Sequence, residues 1–193
     1  MPGLFRRALR AYARGLARAV TPCITGRRVL DLGAGEAFAA EALTRPSLRV
    51  CSPDIGPYRD GGEAYAVYDG RRLPFRDGTF DTTLILLTLH HCDDPAAVLG
   101  EAARVTRQRL IVMESVYRNA LDHYWLELLD ERVNRFRHGG QMTPARHVLP
   151  VQGWKALVAS RGLRLVAESW LGSWWERLVH HPVLLVLDKV GRQ

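Results

Sequence analysis

The chain has 193 residues, 47% hydrophobic and 24% charged, with a net charge of +7. That length suits a single domain able to bury a core without disulfides or metals. No apolar run is long enough to span a bilayer, none resembles a signal peptide, and the dispersed cysteines Cys23, Cys51 and Cys92 lack metal-ligand spacing. The expectation is a cytoplasmic protein with reduced thiols and no metal. The positive charge is local: seven arginines and no acid precede Asp31, and the remaining 20 basic residues balance the 20 acidic ones. A basic face running across the whole domain is therefore excluded, which disfavours nucleic acid as partner.

In chain order, Leu4–Val20 is helical, with Phe5, Leu9, Tyr12, Leu16 and Val20 at three- and four-residue steps and Arg6, Arg7, Arg10, Arg14 and Arg18 largely elsewhere. Residues 1–22 therefore form a basic amphipathic segment. Docking on the domain with a solvated basic face is the simpler reading, and contact of residues 4–20 with an anionic membrane is the alternative. From Arg28 strands and helices alternate. Strands are expected at Arg28–Leu32, Leu48–Cys51, Ala64–Tyr68, Thr82–Leu87 and Leu110–Met113, with helices at Glu36–Leu43 and Pro95–Val105. The runs TTLILL and RLIVM are continuously apolar, as in parallel strands covered on both faces. This predicts a doubly wound α/β domain over 23–193. After Glu114 the pattern changes to a helix at Asn119–Phe136, a Gly/Pro loop, a helix at Val151–Ser160, and strands at Arg164–Trp170 and Val183–Leu187.

The stretch VLDLGAGEA, Val29–Ala37, is a strand running into a glycine turn. Ligands of doubly wound sheets bind beyond the carboxyl ends of the strands, where glycines permit close backbone approach. A dinucleotide site would carry a third glycine where Phe38 stands, and Glu36 suits a pyrophosphate poorly. Asp31 at the end of the first strand suits a cationic amino group, Asp54 ribose hydroxyls and Asp69 an adenine amine. Together they match a cofactor with amine, ribose and adenine but no phosphate, namely S-adenosyl-L-methionine.

VLDLGAGEA, PDIGPY and YDGRRLPFRDGTFDTTLILLTLHHCDDP resemble the class I S-adenosylmethionine-dependent methyltransferases, in particular the type 11 group related to quinone-biosynthesis enzymes. The resemblance implies a Rossmann-like seven-stranded sheet in the order 3-2-1-4-5-7-6 with the last strand antiparallel and helices on both faces, and the helical insertion at 117–148 that breaks the alternation is expected to form, with the N-terminal helix, a lid over the acceptor. It implies that Asp31, Gly33, Ala34 and Gly35 hold the methionine moiety, Asp54 and Ile55 the ribose and one adenine face, and Asp69 and Gly70 the adenine edge. The backbone near Leu87 would line the methionine end. Ala37 stands where the family has a third glycine, and Arg107, Gln108 and Arg109 replace a K-P-G-G turn.

The implied activity is methyl transfer by in-line displacement to a small, apolar or aromatic metabolite, leaving S-adenosyl-L-homocysteine. Orientation and desolvation supply most of the acceleration, and a base helps if the acceptor is a hydroxyl. Candidate acid-base residues are His90, His91 and Glu114; candidate acceptor contacts are Tyr117, His123, Tyr124 and His147. His180 and His181 are expected to be peripheral. The competing readings are an RNA methyltransferase, a non-catalytic cofactor-binding module and an NAD-dependent reductase. LHHCDDP differs from the N/D-P-P-Y/F signature of enzymes acting on exocyclic base amines.

Overall fold

A computed structural model describes residues 3–58, 65–138, 145–172 and 181–189. Helix α1 (Gly3–Val20) leads through a short 3-10 turn, Thr21–Cys23, into β1 (Arg28–Leu32). Next come α2 (Phe38–Leu43), β2 (Arg49–Asp54), β3 (Tyr65–Val67), β4 (Phe80–Leu86), a 3-10 turn at Leu89–His91 and α3 (Pro95–Val105). The chain continues with β5 (Thr106–Val116), α4 (Ala120–His138), α5 (Val151–Ser160), β6 (Leu163–Trp170) and β7 (His181–Lys189). The sheet order is β3-β2-β1-β4-β5-β7-β6, as the resemblance implied. Strands β1 to β5 are mutually parallel, and β7 runs antiparallel to both β5 and β6.

The apolar strands divide their side chains between two cores, since successive residues point to opposite faces. Leu30, Leu32, Ile85, Leu110, Val112, Leu185 and Leu187 join Leu99 and Ala102 of α3 and Trp154 and Val158 of α5. Val29, Leu84, Ile111, Met113 and Leu184 join Ala17 and Val20 of α1 and Leu43 of α2. Both faces are thus covered, which is why these strands lack a polar alternation. Helix α3 starts where Asp94 caps it, its side chain accepting from the Ala97 amide at 2.9 Å ahead of Pro95.

Several element limits differ from expectation. Strand β2 runs on to Asp54, and β3 ends at Val67, two residues short of Asp69. The residues in place of the K-P-G-G turn form no turn: Arg107, Gln108 and Arg109 belong to β5, beside a register shift between Phe80 and Thr82. Arg109 pairs with Asp188 of β7 at 2.8 Å and donates to the Cys23 carbonyl, so arginine here joins strand edges. His181 is not peripheral: it is buried as the first residue of β7, with Nε2 3.2 Å from Asp122 of α4. His180, Trp174, Trp175 and Met142, with the side chain of Phe136, lie outside the described residues.

At the edge opposite the glycine turn, the buried Asp81 gathers the start of β1. Its Oδ2 accepts from the Arg27 and Arg28 amides at 2.9 and 3.0 Å, and Arg107 approaches Oδ1 at 2.9 Å. A side chain at Gly26 would strike Asp81, its Cβ falling 2.3 Å from the aspartate Cβ. Burial alone would raise the Asp81 carboxyl, but the two amides and the neighbouring arginines hold it below the usual carboxylate range. Asp81→Ala leaves two amides without their acceptor and should lower the unfolding free energy by about 2 kcal/mol, measured by urea denaturation.

Candidate active site

The turn after β1 is held by three neighbouring strand ends. The Gly33 amide donates to the Pro53 carbonyl of β2 at 3.0 Å. Gly33 has φ +73°, and a Cβ there would lie 2.1 Å from Thr88 Cγ2. Only glycine fits, because the loops after β1 and β4 meet backbone against side chain at this point. Gly35, at φ +54°, has no atom within 4 Å of its Cβ position, so its open side faces free space. Ala37, in place of the family's third glycine, is also left-handed at φ 57° and is fully buried. The strain of about 1–2 kcal/mol for such a residue is largely offset by burial of its methyl, worth about 0.8 kcal/mol, together with the lower chain entropy of alanine.

Asp54, the last residue of β2, reaches across to this turn. Its Oδ2 accepts from the Gly35 amide at 2.6 Å, and Oδ1 from the Ile55 amide at 2.7 Å. Burial still raises the Asp54 carboxyl above its ordinary value, the amides opposing it and Glu36 adding to it. Asp31 stands behind the same turn, 2% exposed, and its Oδ2 has no hydrogen-bond partner among the described residues. Burial first, and the charge of Asp54 second, push Asp31 up to about 7, opposed by the Ala40 amide of α2. Two close carboxylates short of a counter-charge make a site suited to a cation.

A cavity of about 720 Å³ opens beyond the carboxyl ends of β1, β2 and β4. Gly33, Asp54, Ile55, Asp69, Gly70, Leu87 and His91 lie on its wall, as expected of a cofactor cleft at this position. Asp31, Ala34 and Gly35 do not line it, which leaves Asp31 behind the turn and off the cavity wall. Asp69 is exposed, with Oδ1 accepting from the Arg71 and Arg72 amides at 2.9 Å each, which leaves Oδ2 for a ligand. Those bonds hold its carboxyl below the ordinary value. Leu87 has φ 56°, and its amide is tied to the Met113 carbonyl at 2.7 Å. Tyr58, Tyr68 and Thr88 also line the cavity. Each had a signal in the sequence that could have found it: Tyr68 and Thr88 stand at or just past expected strand ends, and Tyr58 closes the PDIGPY motif.

The three acid-base candidates separate. Glu114 is 1% exposed; its Oε1 accepts from the Thr88 and Leu89 amides at 3.1 and 2.7 Å, and its Oε2 lies 2.5 Å from His90 Nδ1. Glu114 thereby anchors the turn after β4, and His90, also buried, is its partner. Neither lines the cavity. His91 does, with its ring centre 4.1 Å from that of His90.

The acceptor candidates lie off the wall. Tyr117 and His123 meet ring to ring at 4.6 Å, and Tyr124 is 58% exposed. His147 approaches the Asp93 carbonyl at 3.2 Å, and its amide and that of Arg146 both donate to the His90 carbonyl. Arg146 also pairs with Asp93, a cavity residue. The segment entering α5 is therefore strapped to the turn that carries His91.

Sheet order, glycine turn and strand-end carboxylates together define the fold of class I S-adenosylmethionine-dependent methyltransferases. Comparison with known proteins agrees. A methyltransferase domain of type 11 matches residues 30–112. The demethylmenaquinone methyltransferase of Mycolicibacterium paratuberculosis is 30% identical over 185 residues, 90% of this chain and 80% of that protein. The enzyme of the same name from Streptomyces griseus is 33% identical over 114 residues, 53% of this chain and 50% of its own length. Several of the curated relatives are thus matched over half their length or less. A putative methyltransferase from Bacillus halodurans superposes with a TM-score of 0.69 at 16% identity, covering 92% of this chain and 99% of the other. The chain belongs to the type 11 family of class I methyltransferases.

The Asp31 carboxyl has a consequence for the ligand-free protein. Between its ordinary value of 3.8 and about 7 the unfolded chain has released this proton while the folded chain keeps it. Its contribution to stability therefore falls as pH rises through that window. Asp31→Asn should flatten the decline between pH 5 and pH 7.5 and gain on wild type as pH increases, read from urea denaturation at each pH.

Proposed function

We propose that this protein binds S-adenosyl-L-methionine beyond the ends of β1 and β2 and transfers its methyl group to a small apolar or aromatic acceptor. The observation that carries the reading is the pair of buried carboxylates, Asp31 and Asp54, behind and on the wall of one cavity, with an Asp31 oxygen that none of the described residues satisfies. An ammonium in the cavity would offset both charges, whereas a pyrophosphate there would be repelled. S-adenosyl-L-methionine has that ammonium and supplies a methyl group on a positive sulfur with a good leaving group.

The chain's own residues would divide the work. Asp54 accepts the ribose hydroxyls while its amide partners hold it in place. The free oxygen of Asp69 and the backbone at Gly70 meet the adenine edge, with Ile55 and Tyr68 as apolar walls. The strained backbone at Leu87 and the turn Gly33–Gly35 shape the methionine end. His91 takes the proton that the acceptor loses, because it alone of the three acid-base candidates reaches the cavity. Glu114 and His90 hold its turn. Relatives named for demethylmenaquinone support a reduced naphthoquinone as the acceptor class. Neutral charge beyond Val29 argues against RNA.

Titration of S-adenosyl-L-homocysteine into wild type and Asp54→Ala, with NADH as control, tests the cofactor. The variant should bind more than tenfold more weakly, a loss above about 1.4 kcal/mol; NADH binding, or no S-adenosyl-L-homocysteine binding to wild type, would overturn the reading. With a short-chain demethylnaphthoquinol as acceptor, His91→Ala should lower kcat by about a hundredfold or more and leave S-adenosyl-L-homocysteine affinity unchanged.

A further inference from the structure

The stretch His91–Asp94 lines the cavity between two fixed points. At one end Leu89 is fully buried, and at the other Pro95 is buried and Asp94 caps α3. Between them His91 and Cys92 are half-buried and Asp93 is exposed. The inner side of this arc is held from β5, where Glu114 accepts the Thr88 and Leu89 amides and meets the His90 ring. Within the arc, the His91 amide donates to the Thr88 carbonyl and the Cys92 amide to that of Leu89, both at 3.1 Å.

The outer side is held by a segment more than fifty residues away in the chain. The His90 carbonyl, in the peptide bond that leads into His91, accepts from the Arg146 amide at 2.7 Å and the His147 amide at 3.1 Å. A carbonyl oxygen has two lone pairs, so both bonds form at once. The Arg146 guanidinium pairs with Asp93, and His147 Nε2 lies 3.2 Å from the Asp93 carbonyl. One dipeptide therefore grips the chain just before His91 and again two residues after it. Helix α5 is anchored independently, by Trp154 and Val158 in the core with Leu149 packed against it. The Arg146–Asp93 pair is exposed, and such pairs contribute little, so the two amides carry the grip. The His91 ring rests against that of His90, centre to centre at 4.1 Å with the planes 43° apart. His90 is itself locked by Glu114, which makes its ring a fixed surface for His91.

We infer that the Arg146–His147 dipeptide is a clamp that positions His91 in the cavity wall, which makes His147 a positioning residue and not an acceptor contact. The hold on the ring stands on geometry alone; its use in proton transfer rests on the methyl-transfer reading. Proton transfer needs the ring within hydrogen-bond reach of the acceptor, and a displacement of about 1 Å costs rate steeply. The clamp works through main-chain amides. Proline, which has no N–H, removes such a bond, and alanine keeps it.

The test compares His147→Pro, Arg146→Pro and His147→Ala, each shown to be folded by circular dichroism. Proton NMR of the ligand-free protein follows the His91 ring, its signals assigned with His91→Ala. In wild type the His90 ring should displace these signals from free-histidine positions. The proline variants should lose most of that displacement and His147→Ala should keep it. Turnover of a short-chain demethylnaphthoquinol is the second readout. The proline variants should lower kcat at least about tenfold, with acceptor KM and S-adenosyl-L-homocysteine affinity unchanged. Combined with His91→Ala, the same prolines should cause no further loss, because the clamp acts through that ring. Unchanged His91 signals in the folded proline variants overturn the proposal. An equal further loss of kcat in the His91→Ala background, or a raised acceptor KM with kcat intact, also overturns it. Ring signals that respond as expected in a protein that binds no S-adenosyl-L-homocysteine would sustain the clamp and remove the methyl-transfer reading instead.

Discussion

The site depends on how closely the chain after β1 approaches the chain after β4. At Gly33 a Cβ would come within 2.1 Å of the Thr88 methyl, so the two loops meet only because one has no side chain. Thr88 in turn is held by Glu114, which reaches from β5 to accept its amide and that of Leu89. From the other side Asp54 of β2 takes the Gly35 amide. Four adjacent strands thus converge on one turn, and the cavity is the space they leave above it. The positive φ angles at Gly33, Gly35, Ala37 and Leu87 fall in the two loops that leave β1 and β4, where the chain turns sharply out of the sheet.

The same convergence explains the electrostatics. Acceptors at the ends of β1 and β2 are brought together by parallel pairing, and α1 and α2 cover them on one side. Asp54 receives two amides, whereas one Asp31 oxygen receives no hydrogen bond from the described residues. An unpaired buried carboxylate is unfavourable for the folded protein. At the opposite edge Asp81 has two amides and two arginines within reach. Two buried aspartates on neighbouring strands therefore carry opposite shifts, for reasons that lie wholly in their partners.

Beyond the central strands, polar pairs hold the C-terminal half to the cavity edge. His181 with Asp122 joins α4 to β7, and Arg146 with Asp93 joins the approach to α5 to the turn after β4. Each pair links segments more than fifty residues apart. Leu121, Tyr124 and Trp125 near the start of α4 are exposed, the last two ring against ring.

Much of this architecture was legible in local sequence. Continuous apolar runs such as TTLILL signalled strands covered on both faces, Pro95 stood at the start of an expected helix, and the resemblance that the motifs carry implied the order of strands. Hydrophobic period and capping chemistry act over a few residues, so they survive in a linear reading. The limits of β2, β3 and β5 were less legible, since strand length is set by a neighbour's hydrogen bonds. Side-chain roles were the least accessible. Glu114, His90 and His91 look alike as residues near strand ends, and only packing put two of them in a buried pair and the third on the cavity wall. Tyr58 and Tyr68 stand in the quoted motifs and Tyr68 at an expected strand end, but nothing local distinguishes a tyrosine beside a cleft from one beside solvent. His181 appeared peripheral until antiparallel pairing of β7 brought it against Asp122. The sequence by itself determined the elements, their winding and the carboxylates at the strand ends, through interactions of short range. Which carboxylate is satisfied, and which histidine can reach a ligand, was decided by the tertiary structure, because both depend on partners distant in the chain.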